Sequence, residues 1–192
     1  MAPGKIASVL AVWIVLGVVA LVLLFGVFTY NRLVRLRVRV ENAWSQIDVQ
    51  LRRRYDLIPN LIETVKGYAA HEREIFEDVT KARAMAQEAS GVRNQADAEN
   101  QVTQSLRQLL AVAENYPELK ANQNFLALQE ELTGTESKIA YARQFYNDEV
   151  AALNTLIQSF PASIVAGMGH FTPREFFEID GEQARGPVRV QF

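Results

Sequence analysis

The residues that could carry chemistry are few, and their spacing forms no recognisable active site. The chain of 192 residues contains no cysteine, which excludes disulfides, thiolate catalysis and zinc or iron–sulfur sites built on cysteine. Its two histidines are His71 and His170, and neither follows a glutamate at the Glu-x-x-His spacing of di-iron bundles. The residues after His71 also lack the second histidine of a His-Glu-x-x-His zinc motif. We therefore expect no metal and no cofactor.

Acidic residues are the remaining candidates for acid–base chemistry. They cluster at Glu72–Asp78 and at Glu130–Glu131. A carboxylate pair catalyses proton transfer only where a pocket shifts its pKa values, and a solvated helix face explains both clusters more simply. The glycines at Gly167 and Gly169 are too close for a phosphate-binding loop and lack the Lys-Ser/Thr that follows one. The sequence predicts that the protein is not an enzyme.

Three consecutive arginines, Arg52, Arg53 and Arg54, are the most distinctive charged feature. Successive residues of a helix point in different directions, so the three side chains cannot share one face. We expect at least one of them to lean towards the protein interior and pair with a carboxylate. Asp48 lies four residues before Arg52 and is a suitable partner. The alternative is that the triplet contacts an anion or a lipid headgroup.

The N-terminal part of the chain is apolar and uncharged from Ile6 to Asn31. About 20 such residues cross a bilayer as a helix. A cleaved signal peptide would have a shorter apolar region that ends in small residues, whereas this one ends with Phe28 and Tyr30, which suit a membrane interface. We predict a short N-terminus over residues 1–5 and a transmembrane helix over residues 6–31.

The charges that flank this stretch are asymmetric. Only Lys5 precedes it, whereas four arginines, which we call the basic collar, follow it: Arg32, Arg35, Arg37 and Arg39. Because basic residues tend to remain in the cytoplasm, we expect the N-terminus outside and the remainder in the cytoplasm. The collar also suits the anionic lipids of an inner leaflet, although topology signalling by solvated arginines is the simpler explanation. The net charge of the whole chain is −2, which argues against nucleic-acid binding.

An apolar stripe indicates that the helix continues beyond the membrane. Its members are spaced by three or four residues, as on one face of a helix. They are Val40, Trp44, Ile47, Leu51, Tyr55, Ile58, Ile62, Val65, Ala69, Phe76 and Val79. Pro59 lies inside the stripe and predicts a kink rather than a break, because the phase is kept across it. Ser90-Gly91 predicts the end of this helix.

Two further helices are predicted in the second half of the chain. One runs from about Asp97 to Asn115, with Asn94 or Asp97 as its N-cap and Tyr116-Pro117 at its end. The last helix carries apolar residues seven apart over five heptads and ends at Pro161. They are Phe125, Leu132, Ile139, Tyr146, Leu153 and Phe160. Its second seam is small and polar, which favours antiparallel packing in a bundle over a simple zipper. We predict an all-α fold, with a helical bundle over residues 32–161.

The segment 162–192 is rich in glycine, proline and phenylalanine, and we expect it to be irregular. It is too apolar for a linker, so it should dock either on its own bundle or on a partner. Val188–Phe192 alternates apolar and polar residues, which is typical of a strand added to the edge of a partner's sheet.

Two long patterns resemble the LemA family of bacterial membrane proteins. One is the stretch Glu41–Leu61, and the other begins at Tyr116-Pro117 and continues to Phe160-Pro161 and the tail. The positions that match the family pattern are Trp44, Arg54, Tyr55, Asp56, Pro59, Asn60, Tyr116, Pro117, Gln129, Glu136, Arg143, Tyr146, Asn147, Asn154 and Pro161. The resemblance implies one transmembrane helix in a bacterial inner membrane, an antiparallel four-helix cytoplasmic bundle and no established enzymatic activity. One branch of the family is associated with magnetosome formation.

Three functions are compatible with these features. The first is a membrane-anchored scaffold or adaptor that organises copies of itself, or unidentified partner proteins, at the membrane. The second is a relay of envelope signals or stress through the kink at Pro59. The third is an enzyme or transport accessory, with a polar cavity between helices lined by tyrosines, Arg54 and Glu136. Those tyrosines are Tyr55, Tyr68, Tyr141 and Tyr146.

Overall fold

The computed structural model describes residues 3–178, which form six helices and no strand. The helices are α1 (Pro3–Lys66), α2 (Arg73–Glu88), α3 (Val92–Ala113), α4 (Pro117–Lys120), α5 (Gln123–Gln158) and α6 (Ala162–Met168). The predicted all-helical fold is confirmed, whereas the antiparallel four-helix arrangement stays a prediction. The side chain of Lys5 and the predicted strand at Val188–Phe192 lie outside the described residues.

The chain divides into two compact units, each of which we consider by itself. The first unit contains α1 as far as Asn42 together with Asp148–Arg174, and so includes α6. The second unit contains Ala43–Asn147 and, among the described residues, Glu175–Glu178, and so includes α2, α3 and α4. Helices α1 and α5 contribute residues to both units.

Helix α1 joins the apolar N-terminal stretch to the apolar stripe without an interruption. Among the described helices it is the one that is long and apolar enough to cross a membrane. Its large apolar side chains from Val12 to Phe28 are mostly exposed, as expected for side chains that would face lipid. Pro59 lies inside the helix, as predicted; the kink itself stays a prediction.

The predicted single helix from the membrane to Ser90 is wrong, because α1 ends at Lys66 and α2 begins at Arg73. The amide groups of Tyr68 and Ala69 both donate to the carbonyl of Val65, which closes a turn. The predicted burial of the stripe is nevertheless confirmed on both sides of the break, since the buried residues include Val65, Ala69, Phe76 and Val79. Two helices that bury the same face produce the same periodicity as one helix, so the spacing alone could not reveal the break.

Helix α3 begins earlier than predicted, at Val92 rather than near Asp97, because Gly91 occupies the N-cap. Gly91 has φ +85° and ψ 155°, a backbone conformation that is essentially confined to glycine. Asn94 is therefore inside the helix, and its side-chain amide donates to the carbonyl of Ser90. The predicted stop at Ser90-Gly91 is confirmed, because α2 ends at Glu88.

The heptad of α5 forms part of the core along most of its length. Phe125, Leu132, Ile139, Tyr146 and Leu153 are buried. The sixth position, Phe160, is 83% exposed because α5 ends two residues earlier and the chain turns. The expectation that residues 162–192 contain no helix is also wrong, since Ala162–Met168 forms α6.

Gly91→Ala should destabilise the protein by about 1–3 kcal/mol, because an L side chain is strained at this backbone conformation. Gly134→Ala is the matched control: Gly134 is exposed within α5, and a Cβ added there meets no atom within 4 Å. That variant should be stabilised by up to about 1 kcal/mol, from helix propensity. Thermal unfolding of the full chain in detergent, followed by far-UV circular dichroism, measures both. Equal effects of the two substitutions would contradict the assignment of Gly91 as a required glycine.

Candidate functional site

A buried ion cluster lies in the second unit, with Arg54 at its centre. The Arg54 side chain is 1% exposed although arginine is one of the most polar residues. Its guanidinium pairs with Glu99 of α3 and with Glu136 of α5, the latter at 2.8 Å. A further contact of 3.4 Å joins it to the hydroxyl of Thr103. One side chain therefore ties α1 to two other helices.

Glu99 is the fully buried acid of this cluster. Besides Arg54, its carboxylate accepts hydrogen bonds from the hydroxyl of Tyr55 and from the side-chain amide of Gln95, the latter at 2.8 Å. Several donors and one cation are what a carboxylate needs when it is removed from water. Burial raises the pKa of Tyr55 above its usual 10.0, an effect that the positive charge of Arg54 partly opposes.

The carbonyl of Tyr55 makes a contact that depends on Pro59. Proline has no N–H group, so the helical donor four residues after Tyr55 is missing. Arg83 of α2 supplies the replacement, with its Nε donating to the Tyr55 carbonyl at 2.8 Å. The proline thus leaves one carbonyl of α1 without its helical donor, and α2 attaches to that carbonyl through Arg83.

The Arg54–Glu99 pair at the centre of the cluster is enclosed, which limits its chemistry, whereas Glu136 at the edge is 38% exposed. Glu99 has no exposed surface and Arg54 almost none, so neither group can reach a substrate without an opening of the helices. Within residues 3–178, moreover, no group of three or more His, Cys, Asp or Glu side chains is arranged to hold a metal ion. The arrangement is therefore suited to fixing the relative positions of α1, α3 and α5 within the unit.

The arginine triplet is distributed as its spacing predicted. Arg52 pairs with Asp48 at 2.9 Å along α1, and Arg53 pairs with Glu131 at 2.8 Å on the surface. Arg54 is the member that turns inward. The predicted inward arginine and the predicted Asp48 partner are both confirmed.

Asparagine side chains hold the described part of the C-terminal segment. In the second unit, Asn147 donates to the carbonyl of Phe177 at 3.2 Å and accepts from its amide at 2.9 Å. In the first unit, Asn154 makes the same pair of bonds with the backbone of Arg174, both at 2.8 Å. Each amide side chain thus satisfies both backbone groups of one residue. The segment up to Phe177 is therefore hydrogen-bonded to α5 of the chain itself, and the choice between a bundle and a partner for the whole tail stays a prediction.

An aromatic group reinforces this attachment in the second unit. The ring of Phe177 is fully buried and meets Trp44 edge to face, with centroids 5.4 Å apart. Trp44 also packs on Tyr146 at 5.5 Å, and the Tyr146 hydroxyl donates to the carbonyl of Glu175. Such ring pairs add stabilisation beyond the apolar area that they bury.

Some of the residues that match the family pattern come together in the structure, and the others are dispersed. Two groups come together: Arg54, Tyr55 and Glu136 in the ion cluster, and Trp44, Tyr146 and Asn147 around Phe177. Pro59 and Asn154 have the contacts described above. The other positions occupy helix surfaces or helix ends, and they are Asp56, Asn60, Tyr116, Pro117, Gln129, Arg143 and Pro161.

The four tyrosines of the enzyme hypothesis do not line a common cavity. Tyr55 belongs to the ion cluster, and Tyr146 packs on Trp44. The hydroxyl of Tyr68 accepts from Asn122, and Tyr141 is 76% exposed. These side chains point to separate places because they lie on helical turns that face different neighbours.

Sequence reasoning missed Glu99, Gln95 and Arg83. A signal for Glu99 was present, since it lies three residues before Val102 on the apolar face of α3. A carboxylate on the buried face of a helix requires a partner. Arg83 had no comparable signal, because only the packing of α2 against α1 brings it to the carbonyl left open by Pro59.

The basic collar belongs to the first unit, where two of its members have partners. Arg39 pairs with Glu149 at 3.5 Å, and the guanidinium of Arg37 lies 5.3 Å from the ring centre of Phe171. Arg32 and Arg35 are exposed. All four side chains thus lie at the surface.

The second unit also has an exposed apolar groove between α1 and α5. It encloses about 540 Å³ and is lined by Val49, Lys138, Tyr141 and Phe145, among others. Val49 is 60% and Phe145 is 46% exposed. Adjacent exposed aromatic and branched side chains are typical of a surface that binds another protein.

Comparisons with known proteins identify one family. The model of the LemA family matches residues 43–192. A magnetosome protein, MamQ 2 of Paramagnetospirillum magneticum, is 25% identical over 190 residues, which cover 85% of this chain and 70% of the relative. MamQ of Magnetospirillum gryphiswaldense is 24% identical, with coverage of 77% and 64%. Protein LemA of Metamycoplasma hominis is 24% identical, with coverage of 76% and 69%.

Glu99→Gln should destabilise the protein by about 3–5 kcal/mol, because it leaves the buried Arg54 without its main counter-charge. Glu131→Gln is the matched control: it removes the exposed partner of Arg53 and should change stability by less than about 1 kcal/mol. Chemical denaturation of the full chain in detergent measures both. Similar losses in the two variants would contradict a special role of the buried cluster.

Stability should decrease at alkaline pH because of Tyr55. Its raised pKa means that the unfolded chain loses the phenolic proton at a lower pH than the folded chain does. The contribution of Tyr55 is therefore constant below pH 10.0 and is lost as the pH rises towards the folded pKa. Denaturation across this range should show a steeper loss in the native chain than in Tyr55→Phe. Identical slopes would rule out Tyr55 as the source.

Proposed function

The chain belongs to the LemA family, and from this premise we propose that it is a single-pass membrane-anchored scaffold that assembles copies of itself at the membrane. Membrane association is supported by the family and by the long apolar helix α1. The observation that carries the scaffold role is the exposed apolar groove between α1 and α5. The proposal assigns no catalytic activity to the scaffold.

The membrane anchor gives the groove its occupant, a second copy of the same chain. Copies that are confined to one membrane encounter each other at a raised effective concentration, so a modest surface suffices for association. A symmetric dimer would place the same groove on both copies against itself. Tyr141 supplies the large aromatic side chain that dominates many such contacts.

The proposed location is a bacterial inner membrane, with the N-terminus outside and the helical bundle over residues 32–161 in the cytoplasm. The basic collar supports this orientation through the tendency of arginine to stay in the cytoplasm. The exposed Arg32 and Arg35 would also meet anionic lipid headgroups there. The names of the MamQ relatives refer to the magnetosome, and no more specialised location is proposed for this chain.

Crosslinking in intact membranes at native abundance tests self-assembly. Lys138 lines the groove. Lys81 does not line it, so it serves as the comparison site. A lysine-reactive crosslinker should therefore join Lys138 to Lys138. Mass spectrometry identifies such a product as intermolecular without further labelling, because one residue occurs in it twice. Crosslinks from Lys138 only to one other protein would replace the self-assembling scaffold with an adaptor, and the absence of any crosslink would contradict both roles.

A pair of variants isolates the groove. Tyr141→Glu places a charge in the apolar contact and should weaken dimer formation by about tenfold or more. Gln144→Glu adds the same charge at an exposed position of the same helix that does not line the groove and should leave association unchanged. Light scattering of the detergent-extracted protein over a range of concentrations measures both. A native chain that stays monomeric throughout, or two variants that behave alike, would overturn the role of the groove.

A further inference from the structure

The short helix α6 lies within a second uncharged stretch that the proposed function does not use. From Val150 to Pro173 the chain contains no Asp, Glu, Lys or Arg. The stretch includes the end of α5, a bend of 96° and the whole of α6. Twenty-four residues without a formal charge are unusual on the surface of a water-exposed helical protein, since such surfaces are rich in charged side chains.

One face of α6, with Ile164 and Met168, is both apolar and exposed, and Phe160 in the turn before the helix is exposed as well. Phe160, Ile164 and Met168 are four residues apart and are 83%, 57% and 79% exposed. The opposite face is formed by Ala162 and Ala166, which are buried. The small residues thus pack inward, whereas the large apolar ones are exposed.

Helix α6 packs beside the apolar stretch of α1, in the first unit. The two helices enclose a groove of about 830 Å³ with almost no polar lining, between Phe25, Gly26 and Tyr30 on α1 and Ile164, Val165 and Met168 on α6. Tyr30 meets Phe171 edge to face, with ring centroids 5.6 Å apart. The Phe171 ring leaves no room for a side chain at position 169: an added Cβ would lie 2.7 Å from it, and 3.2 Å from the Tyr30 ring.

The level of this contact along α1 indicates its depth in a membrane. The groove reaches along α1 from Leu21 to Tyr30, which is about 15 Å of helix at 1.5 Å per residue. That is about half of a hydrocarbon core of about 30 Å. The basic collar begins immediately afterwards, at Arg32. If α1 crosses a membrane with the basic collar at the headgroups, α6 therefore lies within the leaflet next to the collar.

We propose that α6 is embedded in the lipid leaflet next to the basic collar, with Phe160, Ile164 and Met168 in contact with acyl chains and an acyl chain in the groove between α1 and α6. The inference rests on the membrane anchor of the proposed function but not on self-assembly or on orientation. The occupant is lipid because the groove is continuous with the apolar stretch of α1 and carries no charge. The protein then has two contacts with the membrane, a span and a helix within one leaflet.

The natural absence of cysteine makes a direct test straightforward. Single cysteines are introduced at Ile164 and at Met168, labelled with an environment-sensitive fluorophore, and the full chain is reconstituted in phosphatidylcholine–phosphatidylglycerol vesicles. Phe28→Cys is the positive control, because Phe28 is exposed within the apolar stretch of α1. Gln144→Cys is the negative control, because Gln144 is exposed on α5 in the second unit. Lipids that carry a nitroxide on the acyl chain quench fluorophores in the hydrocarbon, and iodide quenches those in water.

Acyl-chain nitroxides should quench the labels at Ile164 and Met168 at least half as strongly as the label at Phe28, and iodide should quench only the label at Gln144. If Phe28 is quenched by lipid but Ile164 and Met168 are quenched by iodide, α6 lies in water and the inference fails while the anchor stands. If both quenchers are excluded from Ile164 and Met168, protein covers α6 and the assignment of lipid is wrong. If Phe28 itself is not quenched by lipid, the membrane anchor of the proposed function fails, and the inference fails with it.

Discussion

The need to neutralise one buried guanidinium organises the second unit. Arg54 has almost no exposed surface, and an unpaired charge in that position would be strongly destabilising. Its two carboxylate partners come from α3 and α5, and the neighbouring Tyr55 brings in Gln95 and, through its carbonyl, α2. The Arg54 side chain thus couples the positions of three helices, and the backbone of its neighbour Tyr55 attaches the fourth. Apolar burial supplies the bulk of the stability, while the ion cluster selects which helical faces meet.

The same physical principle, satisfaction of polar groups that have left water, explains the other fixed points of the structure. Pro59 leaves a helical carbonyl without its donor, and Arg83 takes the place of that donor. Asn147 and Asn154 each satisfy the two backbone groups of a residue in the C-terminal segment. None of these contacts resembles a catalytic arrangement. They describe a framework whose exposed features, an apolar groove and an apolar short helix, are available for assembly and for lipid.

The proposed scaffold and the proposed leaflet helix use different surfaces. The groove with Tyr141 belongs to the second unit, where it would face a second copy. The exposed face of α6 belongs to the first unit, beside the apolar stretch of α1. Membrane attachment and self-assembly can therefore be altered separately. A helix that lies in one leaflet would also restrict how the span rotates in the bilayer, because rotation would carry Phe160 and Met168 through lipid along with α1.

The sequence by itself determined the helical class, the apolar stretch, the buried stripe and the inward turn of one arginine, because each follows from local periodicity or from the chemistry of a single residue. The turn at Gly67–Glu72 escaped it, since two helices can bury one continuous stripe. Helix α6 was too short for periodicity in the sequence to reveal it. Only the tertiary structure decided that Glu99 and Glu136 neutralise Arg54 and that Arg83 completes the helix at Pro59. These partners are 28 to 82 residues apart in the chain, and no local spacing encodes such a contact.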